Sequence, residues 1–354
     1  MSDITKLIND LKSDDESVRS FAVDDLRQIN SEDAVQPLVD LLLSERSVII
    51  RESIFKTFSQ IKGKKTIDAL IFLLRSDEAF IRNQAITVLN EKGEESLESL
   101  RALLKDPDKD VRKLALDALF SFEHPESAKI IVEAFTDQAI NVRITAVEYI
   151  GRLEAKEFSD DIVNVLKSSE NILLTCSCLE SLSIIGSSEN MEEIKKIFSD
   201  VNKIDPMIMF SYVKVIGSLG DLDSYDMLTG ILKNFGTVIS KEIIQSVQKI
   251  SRRLKNKELP TELLNSFIVI LNDLDEMGQY SILNMISAYN NDEVYNILLE
   301  KLNSNKRMVK LGAIEGLGKL GNSKAIEILE DLLEIEEDEE LQEVLNDSIE
   351  TLKE

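Results

Sequence analysis

The chain has 354 residues, 43% of them apolar, with Pro 5, Gly 13, Trp 0 and His 1. That apolar content excludes general disorder, and so little Pro and Gly argues against turn-rich all-β and α/β chains. Lys plus Arg number 41 against 65 Asp plus Glu, a formal charge of −24, which repels phosphate backbones; nucleic acid is not an expected partner.

Taken from the N-terminus, Met1 to Lys6 lacks the basic and apolar blocks of a signal peptide. No apolar run approaches the ~18–20 residues that span a bilayer, so no membrane contact and a reducing cytoplasm are expected. Val18-Arg19, followed by Ala22 and Leu26, opens a pattern that returns at Ile50-Arg51, Ile81-Arg82, Val111-Arg112 and Val142-Arg143, at intervals of about 30–32 residues. Before each lies a shorter segment with apolar residues at i, i+3, i+4 and i+7, as in 34–43, 66–74 and 127–135. A polar turn such as Lys105-Asp106-Pro107-Asp108 joins the two. The unit is therefore a pair of helices. His124, in Glu123-His124-Pro125-Glu126, reads as a turn residue rather than a general base.

The middle is weaker but in phase. Leu174-Thr175 leads to Cys178 and Leu182, Ile208-Met209 to Tyr212 and Ile216, Ile239-Ser240 to Ile243 and Val247, and Met277-Gly278 to Ser281 and Met285. Cys178 takes the small-residue packing position, and Cys176 and Cys178 are spaced C-x-C with no second pair, so neither a zinc site nor a disulfide framework is expected. Asp205-Pro206 reads as an N-cap with Pro in the first turn. The regular pattern resumes at Val309-Lys310, and Leu341-Gln342 opens a final helix suited to a polar terminal cap. Gly63, Gly151, Gly186, Gly217 and Gly318 read as helix ends. The whole is about eleven units stacked to bury faces that no unit can bury alone. As organisation this gives one array over 1–354, regular over 1–155, divergent over 156–304, and regular with a C-terminal cap over 305–354.

The Val-Arg-x-x-Ala-x-x-x-Leu units, with the tails Leu317-Gly318-Lys319-Leu320-Gly321-Asn322 and Ile216-Gly217-Ser218-Leu219-Gly220-Asp221, resemble HEAT repeats, specifically the short HEAT-like repeats named after phycobilisome lyase subunits. The resemblance implies an all-α, right-handed α-solenoid whose second helices line a concave face. It implies no chemistry, because such proteins serve as scaffolds, adaptors, lyase subunits and, in one branch, DNA glycosylases.

On that face, the fifth position after each Arg site reads Asp24, Lys56, Thr87, Asp117, Glu148, Glu180, Lys214, Gln245, Leu283, Glu315 and Asp347. Asp117, Glu148 and Glu180 fall in consecutive units, either as a solvated acidic face or as a stripe that recruits a basic partner. Phe210 falls on the same face, as do Ile144, Leu283 and Ile286; such residues are core or interface anchors. Arg19, Arg51, Arg82, Arg112 and Arg143 form a column, which the resemblance assigns to an inter-repeat ladder rather than to an anion site. Arg252-Arg253-Leu254-Lys255-Asn256-Lys257 is the single basic cluster and reads as a solvated loop rather than as a contact for an acidic partner or nucleic acid.

No phosphate loop, Ser-His-Asp set or metal spacing is present. The expectation is a monomeric, non-enzymatic scaffold or adaptor without cofactor, binding a basic protein partner through Asp117, Glu148, Glu180, Phe210 and Lys214. The alternative is a lyase-type subunit or chaperone for a cofactor-modified protein, which would show an apolar cavity where the repeats lose regularity.

Overall fold

A computed structural model describes residues 3–122, 124–255 and 259–354. The chain divides into two compact units, Met1–Asp161 and Ile162–Glu354. The first unit holds the pairs α1 (Asp3–Asp10) with α2 (Glu16–Ile29), α3 (Val35–Ser44) with α4 (Val48–Gln60), α5 (Lys64–Leu73) with α6 (Ala79–Glu91), α7 (Glu94–Leu103) with α8 (Lys109–Ser121), and α9 (Pro125–Ile131) with α10 (Ile140–Arg152). Helix α11 (Ser159–Ser168) spans the division and precedes α12 (Ile172–Ile185). The second unit continues with α13 (Ser188–Ile197) and α14 (Pro206–Leu219), α15 (Ser224–Phe235) and α16 (Ser240–Leu254), and α17 (Thr261–Ile270) and α18 (Glu276–Ile286). It ends with α19 (Asp292–Leu302) and α20 (Arg307–Leu320), then α21 (Ala325–Ile335) and α22 (Glu339–Lys353). Eleven helix pairs result, and the described residues contain no strand. The architecture is an all-α solenoid.

Local chemistry starts the helices. The Asp15, Asp108, Asp205, Asp275 and Asp338 side chains each accept backbone N–H groups at the N-terminus of a second helix, satisfying donors that the helix itself leaves free. Pro206 follows Asp205 in the first turn of α14. His124 is also a cap: its Nδ1 accepts from the Glu126 amide at 3.1 Å, and its ring stacks on Phe122.

Within each unit successive second helices pack directly on one another, α2 to α4 to α6 to α8 to α10 in the first and α12 to α14 to α16 to α18 to α20 to α22 in the second. The small residues lie at these contacts. Ala85, Ala115, Ala146, Cys178 and Ala313 are 0% exposed and Ala22 is 2%. In α14 the same position carries Tyr212, wholly buried against Phe198 with no hydrogen-bond partner for its hydroxyl; burial pushes its pKa up to about 12.

Three sequence expectations change. Of the five glycines read as helix ends, Gly151, Gly217 and Gly318 lie inside α10, α14 and α20. A Cβ on Gly217 would stand 2.6–2.7 Å from Ser246 atoms, and one on Gly318 3.0–3.1 Å from Ser348, so both positions serve close helix approach rather than termination. The left-handed caps are Asn30, Lys255 and Gly321. Second, α18 runs one residue later than expected: Gln279, not Gly278, stands four after the N-cap and is buried, so Leu283 and Ile286 are core, each 0% exposed. Third, Arg252, Arg253 and Leu254 are helical, not loop. Arg253 donates to the Gly217 (2.9 Å), Ser218 and Gly220 carbonyls, closing the C-terminus of α14. Lys92 does the same for α4 through the Ser59 and Ile61 carbonyls at 2.8 and 2.6 Å. Asn256 and Lys257 lie outside the described residues.

A second-helix docking face and the arginine column

The arginine column has a repeated geometry. In α2, Arg19 donates through Nε and Nη2 to the Glu45 carboxylate at 2.8 and 3.2 Å, and through Nη1 to the Ser13 and Asp14 carbonyls. Arg112 in α8 repeats this with Asp137, at 2.6 and 2.7 Å, and with the Asp106 and Pro107 carbonyls. Each arginine thus joins the turn of its own pair to the turn of the next. The acids are held in turn: Glu45 Oε1 accepts the Arg46 and Ser47 amides, and Asp137 Oδ1 the Ala139 amide. The bond from Arg19 holds the Glu45 carboxyl below its usual range. Burial opposes ionisation of Asp137, but the Arg112 bond and the Ala139 amide outweigh it and its pKa is also lowered.

The other rungs differ. Arg51 donates to Glu78 at 2.6 Å and lies over Phe80, 4.9 Å from the ring centre. Arg82 reaches only the Ser76 and Asp77 carbonyls, because the next acid, Asp106, pairs with Arg75. Arg143 Nε has no hydrogen-bond partner. In the last repeats Lys310 takes the arginine's place and donates to Glu336 at 2.6 Å. Gln342 and Gln279 keep the bond to the preceding turn, at the Glu336 and Leu274 carbonyls.

The acidic positions fall in both units. Asp117 and Glu148 are in the first unit and Glu180 in the second. Asp117 is half-buried and accepts the Tyr149 hydroxyl at 2.5 Å; Tyr149 stacks on Phe120, with Arg152 over that ring. Burial, aided by the Asp117 bond, raises the Tyr149 pKa. Glu148 is exposed.

In the second unit Glu180, Phe210 and Lys214 do share a face. Glu180 Oε1 accepts from Ser211 at 3.3 Å, and the Cys176 thiol lies 3.7 Å from the Met207 carbonyl, so α12 and α14 present adjoining rows. Phe210 is 39% exposed, with Met207 (59%) one turn before it on α14 and Leu173 (57%) on α12. Helical spacing puts Lys214 one turn after Phe210, and it is exposed. The face is thus an apolar cluster, Leu173, Met207 and Phe210, bordered by one acid and one base. Leu173 and Met207 were not among the expected site residues. Both stand two positions before the arginine site, as do the exposed Ile49 of α4 and Met277 of α18. Reading that position in register picks out these exposed apolar residues; the fifth position does not.

Paired helices stacked through small residues and joined turn to turn define a repeat solenoid. A family model described as HEAT repeats matches residues 4–90, 73–150, 97–183 and 264–350. The chain belongs to the HEAT repeat family. Comparison with curated proteins gives no match. Among solved structures it is similar to YibA of Escherichia coli, at 17% identity and TM-score 0.44 over 87% of this chain and 98% of that one. It is also similar to the CpcE–CpcF complex of phycocyanin lyase from a Nostoc species, at 14% identity and TM-score 0.40 over 72% and 94%. A third likeness is to the Kap95:Nup1 complex, at 13% identity and TM-score 0.50, covering 99% of this chain and 57% of that chain. At such identities the likeness shows the fold alone. Among the described residues no helix is long and apolar enough to cross a membrane.

Proposed function

We propose that the protein is a non-enzymatic interaction scaffold or adaptor that docks a protein partner on its second-helix face, centred on α12 and α14. The observation that supports this is the exposed cluster of Leu173, Met207 and Phe210 bordered by Glu180 and Lys214. Large apolar side chains left in water beside charges mark protein-binding surfaces, and a central aromatic is the usual anchor of such a site. The net charge of −24 favours a basic partner and speeds its encounter. The protein acts as a cytoplasmic monomer in this reading, through shape and charge rather than chemistry.

The test is parallel affinity capture from the source organism's lysate with the parent, Phe210→Asp and Glu180→Lys, the fold of each checked by circular dichroism. A stoichiometric protein held by the parent and lost on Phe210→Asp supports the reading. Equal capture by all three proteins overturns the assigned face. A co-purifying chromophore without a protein partner favours the lyase-type alternative.

A further inference from the structure

A concavity lies in the same unit, where α16 and α18 approach each other least closely of all neighbouring second helices there. The interval between their ladder positions, Ser240 and Gln279, is the longest in the array. Between the two helices lies a cleft of about 880 Å³, within the ~300–1,000 Å³ range of small-molecule sites. Its walls are held: Tyr225 and Ser251 share a hydroxyl hydrogen bond at 2.9 Å, and the Tyr289 hydroxyl donates to the Leu259 carbonyl at 3.1 Å.

The lining is unusual for so acidic a chain. Among the described residues Arg252, Lys255 and Lys319 border the cleft and no carboxylate does. Arg252 and Lys255 make no ion pair among the described residues, whereas Lys319 bonds Asn284 Oδ1 and lies 3.6 Å from Glu315. The nearby C-termini of α16 and α18 carry roughly half a negative charge each, which the charges of Arg252 and Lys255 exceed. Gln248 and Ser251 add polar groups, and Met285 and Leu259 supply an apolar surface beside them.

We propose that this cleft binds a small amphipathic organic anion. Its carboxylate or phosphate group meets Arg252, Lys255 and Lys319, and its apolar body lies against Met285 and Leu259. This site is separate from the α12–α14 face and does not depend on the scaffold reading.

The test titrates the full chain with the fluorescent anion anilinonaphthalene sulfonate, then displaces it with octanoate, octyl phosphate or pyrophosphate. One saturable site per chain is expected. The Arg252→Glu/Lys319→Glu double variant should weaken it at least tenfold, Ala288→Trp should block it by filling the cleft with its cations in place, and Lys241→Glu, elsewhere on α16, should leave it unchanged. Melting curves check that each variant is folded. Octanoate and octyl phosphate should compete, and the stronger of the two identifies the head group. Displacement by pyrophosphate as effective as by octyl phosphate would remove the apolar half of the proposal. Equal binding by the double variant, or no saturable binding by the parent, overturns the site.

Discussion

At the scale of single residues, the arginine column is a set of unequal rungs. Arg112 and Asp137 are a bidentate pair with side chains 4% and 7% exposed. Truncating one partner strands the other charge, so Arg112→Ala should cost about 3 kcal/mol, read from the urea midpoint. Arg143, with an unpartnered Nε, should cost under about 1 kcal/mol when truncated. The pH dependence follows from the lowered carboxylates. Glu45 and Asp137 ionise more readily folded than unfolded, and Asp338, beside Arg307, is held down to about 2. A carboxylate with a depressed folded pKa stabilises the fold above its unfolded value, near pH ~4, and that contribution disappears as pH falls through the folded value. The melting temperature should therefore hold from neutrality to about pH 5 and fall below about pH 4. The gap between parent and Arg112→Ala should narrow at the acid end as Asp137 is protonated. Asp117 accepts the Tyr149 hydroxyl, so Asp117→Lys should lower stability as well as alter charge, which a melting curve reads.

At the scale of elements, side-chain size where helices cross sets their spacing. Gly217 in α14 meets Ser246 of α16 so closely that a Cβ would overlap its Oγ, Cβ and Cα. Gly217→Ala gains about 1 kcal/mol in helix propensity, yet the backbones must part, an overpacking cost of ~1–3 kcal/mol. Net destabilisation is expected by urea titration. Gly321 is the opposite case: it has φ 72, and a Cβ there would meet nothing within 4 Å, so Gly321→Ala should cost only the left-handed backbone penalty of ~1 kcal/mol. The sequence pattern read Gly217 as a helix end and gave Gly321, which does end one, no such role. A glycine that ends a helix and one that admits a neighbouring helix look alike until the partner at the crossing is known.

At the scale of the whole molecule, the acidic charge and the apolar face should separate in solution. A screening length of ~3 Å at 1 M salt, against ~10 Å at 0.1 M, removes the long-range attraction of a −24 chain for a basic partner. The association rate should fall steeply with salt, while Phe210→Asp should weaken binding at low and high salt alike; kinetics by surface plasmon resonance distinguish the two. Sequence register brought Glu180, Phe210 and Lys214 to one face because all three sit on regular helices whose phase is set by buried residues. It missed Leu173 and Met207 because outward positions bear no fixed residue type, and an apolar side chain there has the same composition as core.

The repeat unit, the helix pairs, the buried small residues and the arginine positions were legible in the amino-acid sequence alone, because each unit meets the same packing problem and answers it at the same spacing. The tertiary structure decided what depends on neighbours. It set the phase of α18, where Gln279 rather than Gly278 faces the preceding turn. It turned Arg253 onto the carbonyls that end α14. It opened the cleft between α16 and α18, because how far apart two helices stand depends on how their side chains meet across the gap, and that distance is written in no local pattern.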